Sequence, residues 1–195
     1  MLNRTLFLII FVILLGGCAG LETQGTKGRG DVMLSVPFFP QDAYQCGPVS
    51  LAEVFNFWGV KVTPRKIAGD IFKARLKGTL SMDMLLYPRR AGFKASVYKG
   101  GMEDIRDRIQ QGYPLIVLVD FGFYVIEKNH FMVVVGYNND GVFTHSGKEK
   151  EKFFTYSELQ RIWKKTGYWT LLIKPWRFCL SFCLPLLFSP AVYPG

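Results

Sequence analysis

Gln41-Asp42-Ala43-Tyr44-Gln45-Cys46-Gly47-Pro48-Val49-Ser50-Leu51 is the stretch on which both fold and chemistry turn. A polar, turn-prone segment gives way at Cys46 to an apolar run, and Pro48 suits a first helical turn, where no backbone N–H is needed. The pattern predicts a helix that begins beside Cys46 and continues as an apolar, aromatic body from Val49 to Trp58. A helix N-terminus presents unpaired N–H groups and about half a positive charge. These favour a thiolate over a thiol and move a cysteine from about 8.5 into a range of roughly 3.5 to 7.5. Cys46 is therefore expected to be an activated nucleophile.

A nucleophile of this kind needs a base, and the chain has only two histidines. His130 opens the run His130-Phe131-Met132-Val133-Val134-Val135-Gly136-Tyr137, whose β-branched and aromatic residues predict a buried strand. Asn138-Asn139-Asp140-Gly141 is a tight-turn signal, after which Val142-Phe143-Thr144-His145 returns as the partner strand. A histidine at the mouth of such a hairpin lies at a sheet edge, where it can meet a helix end. His130 is thus the candidate general base for Cys46.

Val36-Pro37-Phe38-Phe39-Pro40-Gln41, Cys46-Gly47-Pro48 and His130-Phe131 with Val133-Val134-Val135-Gly136-Tyr137 resemble the papain-like peptidases related to those that trim double-glycine leaders from bacteriocins. The resemblance spans most of Val36 to Ile173 and keeps the order of the motifs. It implies a peptidase in which Cys46 attacks the carbonyl, His130 shuttles the proton and the Gln41 side chain donates to the oxyanion. Fixed donors of that kind stabilise the transition state more than the substrate. Gln45, next to the nucleophile, is the second candidate, better suited to a turn or a substrate contact.

The family's third member is usually an aspartate at the end of the strand paired with the histidine strand. Here that position falls on Thr144-His145-Ser146-Gly147, with Ser146 as the best match. A serine oxygen accepts a hydrogen bond from imidazole but brings no charge. Adjacent strand residues point to opposite faces, so only one of His145 and Ser146 can face His130. Asp140, Asn138 and Asn139 belong to the turn at the other end of the hairpin.

The N-terminus carries the signs of an address. One positive charge at Arg4, an apolar run from Leu6 to Leu15 and small residues before Cys18 fit a signal peptide, and the run is too short to span a bilayer. Leu15-Gly16-Gly17-Cys18 resembles the lipobox of bacterial lipoproteins, which implies removal of residues 1–17 and acylation of Cys18, palmitate being a typical chain. Ala19 in the next position leans toward outer-membrane sorting, facing the periplasm. Residues 18–31 then form a flexible tether, residues 32–176 the peptidase domain and residues 177–195 an apolar tail of no assigned role.

Composition narrows the partners. The net charge of +9 loses only Arg4 with the signal, yet an exported lipoprotein rarely meets nucleic acid, and the lysines are scattered rather than striped. A peptide or protein substrate and the membrane holding the lipid are the expected partners, with a monomer as the working state. Cys46 is the only cysteine in the body of the domain; Cys179 and Cys183 lie in the tail. No Cys-x-x-Cys pair or histidine cluster suggests a metal, and no cofactor is expected.

The remaining pattern predicts helices from Thr63-Pro64 to about Phe72, from Ser81 with Asp83 to a stop before Pro88, over Met102–Gln111 and over Thr155–Lys164. Strands are expected at Phe93–Tyr98, Pro114–Phe121 and Tyr168–Lys174. Helices first and strands later make an α+β domain of papain-like type, with N-terminal helices packed on a twisted antiparallel sheet. Trp163 and Trp169 are assigned to the core. Phe121-Gly122-Phe123-Tyr124 is either a groove-shaping loop or an aromatic packing loop. A cysteine-dependent acyl or peptide transferase and a silent peptide-binding module are the alternatives to a peptidase.

Overall fold

The computed structural model describes residues 31–41, 44–124 and 126–176. The expected signal, lipidated Cys18, tether and tail thus lie outside the described residues, Asp31 excepted. Among the described residues no helix is long and apolar enough to cross a membrane.

The cysteine helix, α1 (Cys46–Phe57), is buried without a break from Gly47 to Phe55. It is the centre of the domain because its apolar residues leave no polar face to give to water. Fully burying a Val, Leu or Phe side chain is worth about 1.5–3 kcal/mol, so Val49, Leu51, Val54 and Phe55 anchor it firmly. Gly47 is required by packing rather than by backbone angle. A Cβ there would stand 2.9 Å from Thr79 Cβ and 3.0 Å from Met84 Sδ, so the glycine of the Cys-Gly-Pro motif lets Thr79 and Met84 approach. Gly59, at φ 83°, ends the turn that follows α1.

Helix α2 (Pro64–Ile71) starts as expected, with Pro64 in its first turn and the Thr63 side chain accepting from the Lys66 N–H at 3.3 Å. Helix α3 (Ser81–Arg90) departs from expectation at both ends. Ser81 is its first residue and makes no cap hydrogen bond, and the helix runs through Pro88 to Arg90. A proline removes one backbone bond, but here Pro88 and Met84 are both buried against the core, and that packing carries the helix past the proline.

The later part supplies a seven-stranded sheet, antiparallel at every pairing. Its strands are β1 (Val32–Met33), β2 (Phe93–Lys99), β3 (Leu115–Asp120), β4 (Asn129–Tyr137), β5 (Gly141–Ser146), β6 (Glu149–Thr155) and β7 (Trp169–Pro175), in the order β2-β7-β3-β4-β5-β6, with β1 against the end of β4. Helices α4 (Met102–Gln110) and α5 (Tyr156–Lys164) complete the fold. A capping box opens α5: Thr155 accepts from the Glu158 N–H while Glu158 accepts from the Thr155 N–H.

Strand β4 divides the core by alternation. Phe131, Val133 and Val135 join α1, α2 and α3 on one face, whereas Met132 and Val134 join α4 and α5 on the other. The domain is therefore α+β, with its N-terminal helices on one sheet face, as the pattern implies. Strands β1 and β6 are the elements not foreseen. Strand β6 is an edge strand whose charged residues face solvent and whose one buried residue is Phe154, so it shows no apolar run. Trp163 is fully buried and donates to the Trp169 carbonyl at 2.9 Å; Trp169 is half-buried, its ring 5.5 Å from that of Phe131.

Candidate active site

Cys46 lies where α1 meets β4. It is the first residue of α1, preceded by Gln45 at the N-cap, and its sulfur meets the backbone N–H groups of Phe131, Gly47 and Cys46 itself. The helix end thus acts on the sulfur as expected, but the outcome is reversed. Burial dominates and pushes the Cys46 thiol above its ordinary value, with those three N–H groups offsetting only part of the effect. The structure therefore corrects the sequence expectation of a low-pKa thiolate: the helix N-terminus is present, but the partial burial of the sulfur outweighs it.

His130 sits at the start of β4, half-buried, next to the Phe131 whose backbone touches the sulfur. Its Nε2 lies 3.2 Å from Ser146 Oγ, so Ser146 is the residue facing the imidazole. Strand alternation explains the choice, because Ser146 closes β5 on the α5 side of the sheet while His145 turns toward α1. The hydrogen-bond partner of His130 is Ser146 rather than Cys46. Burial, then the positive charges of Lys128 and Lys152, hold the imidazole down at about 4. At neutral pH the site rests as a thiol and a neutral imidazole.

Gln41 completes the constellation. It is 6 % exposed, and its Nε2 is buried without a hydrogen-bond partner. An orphan buried donor costs about 1–3 kcal/mol, and this amide keeps a hydrogen bond to give. The Gln41 backbone is fixed by its N–H donating to the Gly147 carbonyl at 3.0 Å, which ties it to the turn just past Ser146. Gln45 stands at the N-cap with no side-chain cap, in keeping with a turn role.

The segment before His130 forms one rim. Asp120 Oδ1 accepts from the Gly122 and Lys128 N–H groups at 2.6 and 2.7 Å and pinches the loop closed at its base. Those two N–H groups hold the Asp120 carboxyl below its ordinary value. Phe121 packs with its ring 5.7 Å from His130, but Phe123 and Tyr124 are 85 % and 95 % exposed. Of the two roles considered for this loop, packing applies to Phe121 alone.

The residue that sequence reasoning missed is Glu53. It lies on α1, fully buried, with Oε2 3.4 Å from His145 Nδ1 and Oε1 accepting the Phe39 N–H at 3.1 Å. A charged residue in the middle of Val49 to Trp58 was the available signal, since a carboxyl inside an otherwise apolar helix demands a partner. Among the described residues no group of acidic, histidine and cysteine side chains is arranged to hold a metal.

Comparison with known proteins follows this geometry. Residues 33–170 match the model of the Peptidase C39 like family. No protein of curated function matches the sequence. Among solved structures, a Bacillus anthracis protein described as a C39-like peptidase shares 16 % identity at a TM-score of 0.61, over 74 % of this chain and 98 % of that one. A double glycine motif protease from an AMS/PCAT transporter, solved with its leader peptide, shares 23 % identity at 0.59, over 73 % and 94 %. The peptidase domain of Streptococcus ComA, a bifunctional ABC transporter of a quorum-sensing pathway, shares 25 % identity at 0.59, over 70 % and 96 %.

Proposed function

Because the chain belongs to the C39-like peptidase family, we propose that it is a cysteine peptidase in which Cys46 is the nucleophile, His130 the general base and acid, Gln41 an oxyanion donor and Ser146 the residue that orients His130. The observation that carries this assignment is the unpartnered, buried Gln41 Nε2, on a backbone held by the turn that follows Ser146. The papain-like pattern supplies the chemistry, and the residues stand in its order.

The cycle starts from neutral partners. With Nε2 engaged by Ser146, Nδ1 is the imidazole nitrogen left for the thiol. As the substrate carbonyl arrives, the Cys46 proton passes to His130 and the Sγ–C bond forms. The carbonyl electron pair moves to oxygen, and the Gln41 amide and the Cys46 N–H donate hydrogen bonds to the resulting oxyanion. Collapse breaks the C–N bond, and the amine leaves with the proton from His130. Water, deprotonated by His130, then cleaves the thioester and restores the thiol. Ser146 holds the ring without a charge, so His130 keeps its low affinity for protons.

Peptides are the substrate class supported by relatives such as the double glycine motif protease bound to its leader peptide. We further propose that Cys18 carries the lipid and places the domain outside the cytoplasm, at the outer membrane facing the periplasm. Labelled palmitate incorporated by the wild type and lost in Cys18→Ser checks that point. The alternative of a silent peptide-binding module draws on Ser146, which leaves the site without its usual carboxylate. A mixed-sequence peptide library incubated with the full chain decides between them, with cleavage products supporting the peptidase and their absence the binding module. Product diverted to added amines marks a transferase.

A further inference from the structure

Beneath the catalytic residues lies a second titratable couple that the cycle above does not use. Glu53 stands two turns inward from Cys46, on the helix face that also carries Ser50. Its side chain is wholly buried, and His145 is 1 % exposed. Glu53 Oε2 stands at an ion-pair distance of 3.4 Å from His145 Nδ1 with no hydrogen bond formed between them, and its Oε1 accepts the Phe39 N–H at 3.1 Å. Phe38 closes the arrangement, its ring edge-on to that of His145 at 5.1 Å between centroids.

One carboxyl group therefore touches three segments, and each carries a residue of the site. Helix α1 brings Cys46, the segment ending at Gln41 brings Phe39, and β5 brings His145 next to Ser146. Packing alone gives no reason for the couple. Burying a carboxyl and an imidazole is costly, and apolar residues of similar volume in place of such a pair are often neutral or stabilising.

We propose that Glu53 and His145 are positioning residues, a buried couple that fixes Cys46, Gln41 and Ser146 relative to one another; this rests on the peptidase chemistry proposed above. Glu53 acts through the Phe39 N–H on the oxyanion segment and through His145 on the strand end that holds His130. Removing the couple leaves the fold but loosens the register of the three segments. A misplacement of about 1 Å in a catalytic group can cost about a hundredfold in rate.

The test compares the full wild-type chain with the double variant Glu53→Met, His145→Phe. Three quantities are read: the thermal midpoint, turnover of a mixed-sequence peptide library, and alkylation of Cys46 by iodoacetamide from pH 5 to 9. Peptide mapping separates Cys46 from Cys18, Cys179 and Cys183. The expected result is a thermal midpoint kept or raised, a kcat about a hundredfold lower at little-changed KM, and a displaced alkylation profile. A folded double variant with wild-type turnover and an unchanged profile overturns the proposal. Should the double variant fail to fold, Glu53→Gln keeps an acceptor for the Phe39 N–H and removes the carboxylate facing His145. A lower kcat and a moved profile in that variant uphold the proposal; no change in either refutes it. If the wild type cleaves no peptide, the peptidase assignment fails separately, and the alkylation profile alone decides the role of the couple.

Discussion

The two histidines stand on neighbouring strands and have opposite surroundings. His130, at the open end of β4, is half-buried, pairs with the uncharged Ser146 beside the Phe121 ring, and feels the positive charges of Lys128 and Lys152. His145, on β5, is sealed between Glu53 and Phe38. The same side chain is thus proposed as a base where it reaches the sheet edge and as a brace where alternation turns it under α1. What separates the roles is the face of the strand, not the residue type. A carboxyl group is thus present near the candidate site, but it faces His145 and not His130.

The sharpest way to break the comparison is to remove the base. His130→Ala is expected to lower turnover by about 10²–10⁴-fold with the fold intact, measured as kcat on any peptide the wild type cleaves. Equal turnover would mean that the two histidines are not divided as described. Gln41→Ala comes next, with an expected loss of about 10²–10³-fold in kcat. Because the mutation also deletes an orphan buried donor, the thermal midpoint should not fall, and a stable, inactive variant is the signature to seek.

Exchanging the orienting residue sharpens the contrast further. Ser146→Ala removes one neutral hydrogen bond of about 1 kcal/mol and should cost up to about tenfold in turnover. Ser146→Asp places a carboxylate against Nε2, which favours the imidazolium. Activity should hold or rise, and the acid limb of its pH profile should move upward from the wild type's position.

The smallest effect is in the wild-type pH dependence. A neutral His130 is needed for attack, and it stays neutral down to about pH 4. The acid limb of kcat/KM should therefore lie near pH 4 rather than in the ordinary imidazole range. The same depressed value makes stability depend on pH. The unfolded chain takes up a proton on this histidine in the ordinary range and the folded one only near pH 4. The contribution is complete above the ordinary range and is lost as pH falls toward 4. Thermal midpoints measured across that window check the sign.

Much of this was legible in the chain because its strongest signals are local. Cys46-Gly47-Pro48 marks a helix start by proline chemistry, and His130 to Tyr137 marks a strand by β-branching, so the elements that carry the candidate nucleophile and base were both visible. Ser146 followed by counting along the hairpin, and alternation correctly allowed only one of Ser146 and His145 to face His130. Three features were hidden because they depend on distant partners. The partial burial of Cys46 reflects the core packed around it, and it reverses the pKa shift that the helix end alone would give. Pro88 stays helical because of what Met84 and the proline itself bury. Glu53 acquires meaning only when β5 delivers His145 to it, a contact across ninety-odd residues that no local pattern carries.

The thiol of Cys46 is the centre of the account, and one comparison tests it most directly: the full-length wild type and Cys46→Ala incubated side by side with a mixed-sequence peptide library, products read by mass spectrometry. Cleavage by the wild type and none by a folded Cys46→Ala variant is the predicted result. Equal cleavage by both, or none by the wild type, would contradict it.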